Sequence, residues 1–151
     1  MNRLLSCHAG AIHAAVTLVA AACATLAPAP AASAQGCIDV EVRNVRPSQG
    51  MLMVAVYSDA ATFNKQPSAT TQLPAPSEAT AKIQLCGIAG SPVALMLFQD
   101  LNGNGKLDKN VFGIPSEPWG ASGTTQPTSA PSWESAAVVL DSKPIVVTLS
   151  N

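Results

Sequence analysis

Ile38-Asp39-Val40-Glu41-Val42-Arg43-Asn44-Val45 runs into Arg46-Pro47-Ser48-Gln49-Gly50 and then Met51-Leu52-Met53-Val54-Ala55-Val56-Tyr57. The first run alternates. Ile38, Val40 and Val42 fall on one face, Asp39, Glu41 and Arg43 on the other. A period of two marks a strand half-buried in an antiparallel sheet. Pro47 to Gly50 is a turn by its residue types. The third run is apolar throughout, as in a central strand covered on both faces. The two strands are expected to pair as a hairpin.

The same reading extends outward. Ser58 is expected to cap a helical turn through Phe63. Residues 64–78, rich in Thr, Pro, Ser and Gln, read as a loop or irregular edge. Ala79 to Leu85 alternates again, with Ala81, Ile83 and Leu85 set against Lys82 and Gln84, and leads into Cys86. After a turn over Gly87 to Pro92, Val93 to Gln99 reads as a buried strand that delivers the chain into Asp100. Ser135 to Leu140 and Pro144 to Leu149 read as two more strands, separated by Asp141-Ser142-Lys143. No segment sustains helical periodicity, and there is no internal repeat. The expected fold is all-β: a small antiparallel β-sandwich, immunoglobulin-like or transthyretin-like.

The front of the chain has a different character. Arg3 gives a short positive start, residues 11–27 are apolar and rich in Ala, and Ala32-Ser33-Ala34 follows Pro28-Ala29-Pro30. This is the layout of a secretory signal peptide cleaved after Ala34. A retained anchor fits less well, because no basic stop-transfer cluster follows. A lipoprotein start at Cys23 lacks the larger aliphatic residue usually found before the cysteine. Residues 1–34 are therefore expected to be a signal peptide and residues 35–151 the β-sandwich domain, exported to the periplasm or beyond the cell, with no membrane span after cleavage.

Composition narrows the function. The 151 residues are 48% hydrophobic and 11% charged, with a net charge of −1 and only 4% aromatics. Nucleic acid and anionic membranes call for clustered Lys and Arg, so neither is expected as a partner. Cleavage would remove both histidines, His8 and His13, together with Cys7 and Cys23. A Ser-His-Asp triad, a Cys-His dyad and an imidazole zinc site all need a histidine. Cys37 and Cys86 remain, and in an oxidising compartment they are expected to form a disulfide.

The segment with chemistry in it is Asp100-Leu101-Asn102-Gly103-Asn104-Gly105-Lys106-Leu107-Asp108. Oxygen-bearing side chains stand at positions 1, 3, 5 and 9, with Gly at 6, as in the first part of an EF-hand calcium loop. Alternate side chains of a tightly curled loop point to one centre. Gly105 allows the sharp turn, and the Lys106 carbonyl can add a ligand. Position 12 is Val111, not the bidentate Glu, and no helices flank the loop. The candidate calcium ligands are Asp100, Asn102, Asn104, Lys106 and Asp108, with Glu117 or water completing the shell. Asn-Gly-Asn-Gly is also a strong turn sequence in its own right, so a metal-free turn stays open beside the calcium reading. Further on, Phe112, Trp119 and Trp133 lie in about twenty residues of expected loop, longer than a mere connection. They either pin this loop to the sandwich or present a surface to a ligand or partner.

Phe98-Gln99-Asp100 with the loop through Asp108, then Phe112-Gly113-Ile114-Pro115, Glu117-Pro118-Trp119-Gly120 and Pro131-Ser132-Trp133-Glu134, resembles a family of exported bacterial proteins called domain of unknown function 2141. The resemblance runs from near Ile38 to near Leu149 and is most specific over residues 98–134. The family tends to carry His in place of Gln99, an aromatic in place of Ala121 and Phe in place of Trp133. The resemblance implies export and supports the identity of the loop; it brings no activity.

The expected function is that of an exported binding module, stabilised by calcium in the Asp100–Asp108 loop, whose partner is a protein or another envelope component. A metal-free structural or interaction domain is the alternative. The chain is not expected to be an enzyme. A hydrolase would have to draw on carboxylate pairs among Asp100, Asp108, Glu117 and Glu134, with no positioned nucleophile.

Overall fold

The computed structural model describes residues 36–123 and 129–150. The expected signal peptide lies outside the described residues. Two sheets pack face to face. One has three strands in the order β4-β1-β8, formed by β1 (Gly36–Arg43), β4 (Thr80–Ile88) and β8 (Ile145–Thr148). The other has five. Its path is β3-β2-β5-β6, from β3 (Ala69–Pro74), β2 (Met51–Tyr57), β5 (Val93–Asp100) and β6 (Trp119–Ala121), and β7 (Ala137–Val138) also pairs with β5. The fold is a small all-β sandwich.

The alternation assigns the inner faces as expected. Val40 and Val42 from β1, Ile83 and Leu85 from β4 and Val147 from β8 meet Leu52, Val54 and Val56 from β2 and Leu95 and Leu97 from β5 in one core. The out-of-phase residues of β2 and β5 are not wasted. Ala55, Ala94 and Met96 join Tyr57, Phe63, Ala121, Ala136 and Trp133 in a second, smaller apolar cluster. This explains part of their apolar character: the cluster packs on the outer face at Ala55, Ala94 and Met96, while Met53 and Phe98 stay half-buried.

The pairing differs from expectation in five places, one of them β6, which the expected loop contributes beside β5. β1 and β2 do not form a hairpin, because β1 pairs with β4 and β8 while β2 pairs with β3 and β5. The chain crosses from one sheet to the other over residues 44–50, where Val45 is buried and donates its N–H to Ala79 O. A period of two identifies an inward face, but both partners in a hairpin and both halves of a sandwich corner have one. Residues 69–74 form a regular edge strand, exposed over most of its length, so no apolar alternation marks it. The segment expected as a strand from Ser135 starts instead as a helical turn, α1 (Trp133–Ala136), followed by the two residues of β7. β8 runs parallel to β1, so the three-stranded sheet is mixed.

At the turn after β2, the Asp59 carboxylate accepts the Ala61 N–H, while the Ser58 hydroxyl bonds that of Ser68. Asp59, not Ser58, is therefore the capping residue. Cys37 and Cys86 face each other across β1 and β4 and are joined by a disulfide. No helix among the described residues is long and apolar enough to cross a membrane.

Gly50 fixes where the candidate loop begins. It stands at φ +62°, and a Cβ there would collide with the carbonyl of Asp100 on the neighbouring strand. Only glycine allows this backbone approach.

Candidate functional site

The loop leaves the end of β5 as a set of nested turns. Asp100 is buried. Its Oδ1 accepts the N–H groups of Gly103 (2.8 Å) and Asn104 (3.3 Å), and its Oδ2 accepts that of Gly105 (2.7 Å). Asn102 Oδ1 accepts the Asn104 N–H, and Asn104 Oδ1 accepts the Lys106 N–H. Each is an Asx turn, which is why Asp and Asn recur at every second position. Gly103 and Gly105 both take positive φ.

The side chains at positions 3, 5 and 9 converge. Asn102 Nδ2 donates to Asp108 Oδ2 at 2.6 Å, and Asn104 Nδ2 lies 3.0 and 3.1 Å from the two Asp108 oxygens. Glu117 occupies a different place. It is buried beneath the loop, where Oε1 accepts the Leu101 N–H (2.8 Å) and Oε2 the Asp108 N–H (3.1 Å). One carboxylate thus clamps the two ends of the loop together. Among the described residues, no three His, Cys, Asp or Glu side chains come together as a metal cluster. An ion held here would depend on amide and main-chain oxygens beside the carboxylates.

Electrostatics follows from this geometry. Burial pushes the Asp100 carboxyl up, but the N–H groups of Gly105, Gly103, Asn104 and Asn102 together outweigh it and hold it below its ordinary value of 3.8. A carboxyl depressed on folding stabilises the native state above its ordinary pKa, and that stability is lost as pH falls through the folded value. The melting temperature is therefore expected to hold from neutral pH down to about pH 4 and to fall below it. Asp100→Asn should flatten that fall while lowering stability at neutral pH, as calorimetry over a pH series would show.

Glu117 yields a second prediction. Gln in its place keeps one acceptor and turns a donor toward the other N–H. Glu117→Gln is expected to cost about 1–3 kcal/mol, read as a lower urea midpoint with unchanged slope.

The three aromatic candidates part company. Trp133 packs edge-on against Phe63, with ring centroids 5.8 Å apart, and Phe63 packs the same way on Tyr57. Trp133 thus pins α1 to the sandwich. Trp119 is half-buried on β6 and lines a surface hollow of about 450 Å³ together with Met96, Leu107 and Ile114. Phe112 is 85% exposed and Val111 94%, at the tip of a turn organised by Asn110, whose Oδ1 accepts the Phe112 and Ile114 N–H groups. Glu134 lies on α1 and takes no part in the Glu117 clamp on Leu101 and Asp108. Its own N–H and the Ser132 hydroxyl hold its carboxyl below the usual range.

Two residues carry weight that the sequence reading missed. Gln99 is fully buried and bonds the backbone of Arg46 and Gln49. Its phase, two residues beyond Leu97 and four beyond Leu95, is the signal that would have placed it inside. Ser122 is also fully buried, accepting the Leu95 N–H and donating to Ala136 O, and so ties β5 to α1. Nothing in its spacing announces this.

A family model described as an uncharacterised protein conserved in bacteria, DUF2141, matches residues 40–148. The chain belongs to the DUF2141 family. The match runs from β1 to β8, so both sheets and the Asp100–Asp108 loop lie within the DUF2141 domain. No curated protein and no solved structure matches the chain.

Proposed function

We propose that this DUF2141 chain is an exported envelope binding module whose Asp100–Asp108 loop takes calcium. One observation carries the reading: Asn102, Asn104 and Asp108 converge on one point above a backbone already tied down by Asp100 and Glu117. The donor set is all oxygen, as calcium requires. The Asn102 and Asn104 amide nitrogens face Asp108, so turning either oxygen to an ion by rotating the amide would give up that residue's Asx turn. Lys106 would contribute its carbonyl. The ion would reinforce a loop that connects β5 to β6. Low carboxylate content points to weak affinity, on the order of 10⁻⁴ to 10⁻³ M. Export is supported by the arrangement of residues 1–34 and by the disulfide, a bond of oxidising compartments.

A second reading has its own support. Every side-chain carboxylate and amide of the loop already has a protein partner, so the loop is also complete as a metal-free turn. Calcium titration by calorimetry on the wild type and on Asp108→Ala separates the two. Saturable uptake lost in the variant supports the calcium module; no uptake at millimolar calcium leaves a metal-free interaction domain.

A further inference from the structure

Beyond the loop, the outer face of the five-stranded sheet is hollowed. The hollow beside Trp119 is bounded by Met96, Leu107 and Ile114, with Asn64, Lys109 and Ser129 as polar members. A second hollow of about 340 Å³ continues along the sheet past Met53, Ala55 and Phe98. The two share Asn64, Met96 and Leu107, so they form one trough. The strand phase explains its chemistry. Met53 pairs with Phe98 and Ala55 with Met96, which sets these residues side by side on the face away from the main core. Hollows of this size, mostly apolar with few polar groups, are of the kind that take small molecules.

The charge is one-sided. Among the described residues, Lys109 is the only charged one lining either hollow. The neighbouring Asp108 carboxylate is turned to the Asn102 and Asn104 amides. Lys109 has no acidic partner among the described residues. We infer that this trough binds an amphipathic monocarboxylate, an extended apolar chain laid along Met96 and Leu107 with its carboxylate at Lys109. The trough borders the calcium loop through Gly105 and Leu107 but does not require that reading.

The test uses the full chain with Trp133→Phe, so that fluorescence reports Trp119. The probes are dodecanoate below its micelle threshold, dodecanol, and dodecyltrimethylammonium, each in excess chelator. Saturable binding of dodecanoate, about tenfold or more tighter than the cationic probe, is expected from one ion pair near the surface. Lys109→Glu should abolish that preference. Ile114→Gln, at a position 59% exposed and so tolerant of a polar group, should weaken all three probes. Circular dichroism melts establish that both variants fold. No saturable signal with dodecanoate, equal affinity for the three head groups, or a Lys109→Glu variant with unchanged preference would overturn the proposal.

Discussion

Breaking the Cys37–Cys86 bridge is expected to cost about 4 kcal/mol and to lower the melting temperature by on the order of 15 °C. The bridge links residues 49 apart in sequence. Its main effect is on the unfolded chain, which loses the freedom of a long loop when the bond is closed. The folded ladder depends on it little. The two cysteines stand opposite each other near one end of β1 and β4, and seven further residue pairs carry that antiparallel ladder. Both are exposed on the outer face of the sheet, so a mild reductant reaches them without prior unfolding. Calorimetry of the oxidised and reduced protein, with a Cys37→Ser, Cys86→Ser double variant as reference, measures the effect. The reduced protein and the double variant should melt alike. A shift of only a few degrees would mean that the unfolded chain is already compact across this loop.

The second large effect is at Gln99. Its Nε2 donates to Arg46 O (2.8 Å) and Gln49 O (2.6 Å), and its Oε1 accepts the Arg46 N–H (2.8 Å). One side chain thus fastens β5 to the segment that crosses between the sheets. Gln99→Leu has nearly the right size but deletes all three bonds in a closed site, so a loss of about 3–5 kcal/mol is expected. Gln99→Glu is more informative. It keeps an acceptor for the Arg46 N–H but aims a second oxygen at two carbonyls, so the buried acid will favour its protonated form. Its folded pKa is then raised. The variant should be most stable below the ordinary Glu pKa of about 4.3 and lose stability as pH rises through the folded value. That is the opposite sense to Asp100. Gln99→His, with one donor and one acceptor, should lie between wild type and Gln99→Leu. Equal stability of Gln99→Leu and wild type in urea would show that the crossover holds itself.

The inner faces of the sandwich were legible because hydrophobic period is local. Val40, Val42, Ile83 and Leu85 announce their face within five residues. Pairing partners are not local, which is why β1 and β2 look like a hairpin and instead lie in opposite sheets. Thr70, Thr71 and Gln72 form an edge with little to bury, so they leave no pattern. The loop was legible as a unit, since its Asx turns are made between residues two apart. Glu117 was expected beside the loop as a calcium ligand, but its clamp was not legible, because its bond to Leu101 spans sixteen residues and no spacing rule connects them. The trough needed the register of β2 against β5 as well as the hairpin carrying Lys109 and Ile114.

The calcium reading is tested most directly by the melting temperature of the oxidised protein in millimolar calcium, in excess chelator and in magnesium. A ligand bound only by the native state raises that temperature by mass action. A rise specific to calcium and lost in Asp108→Ala is expected. Identical melts in all three conditions would contradict it and leave the loop a self-contained turn.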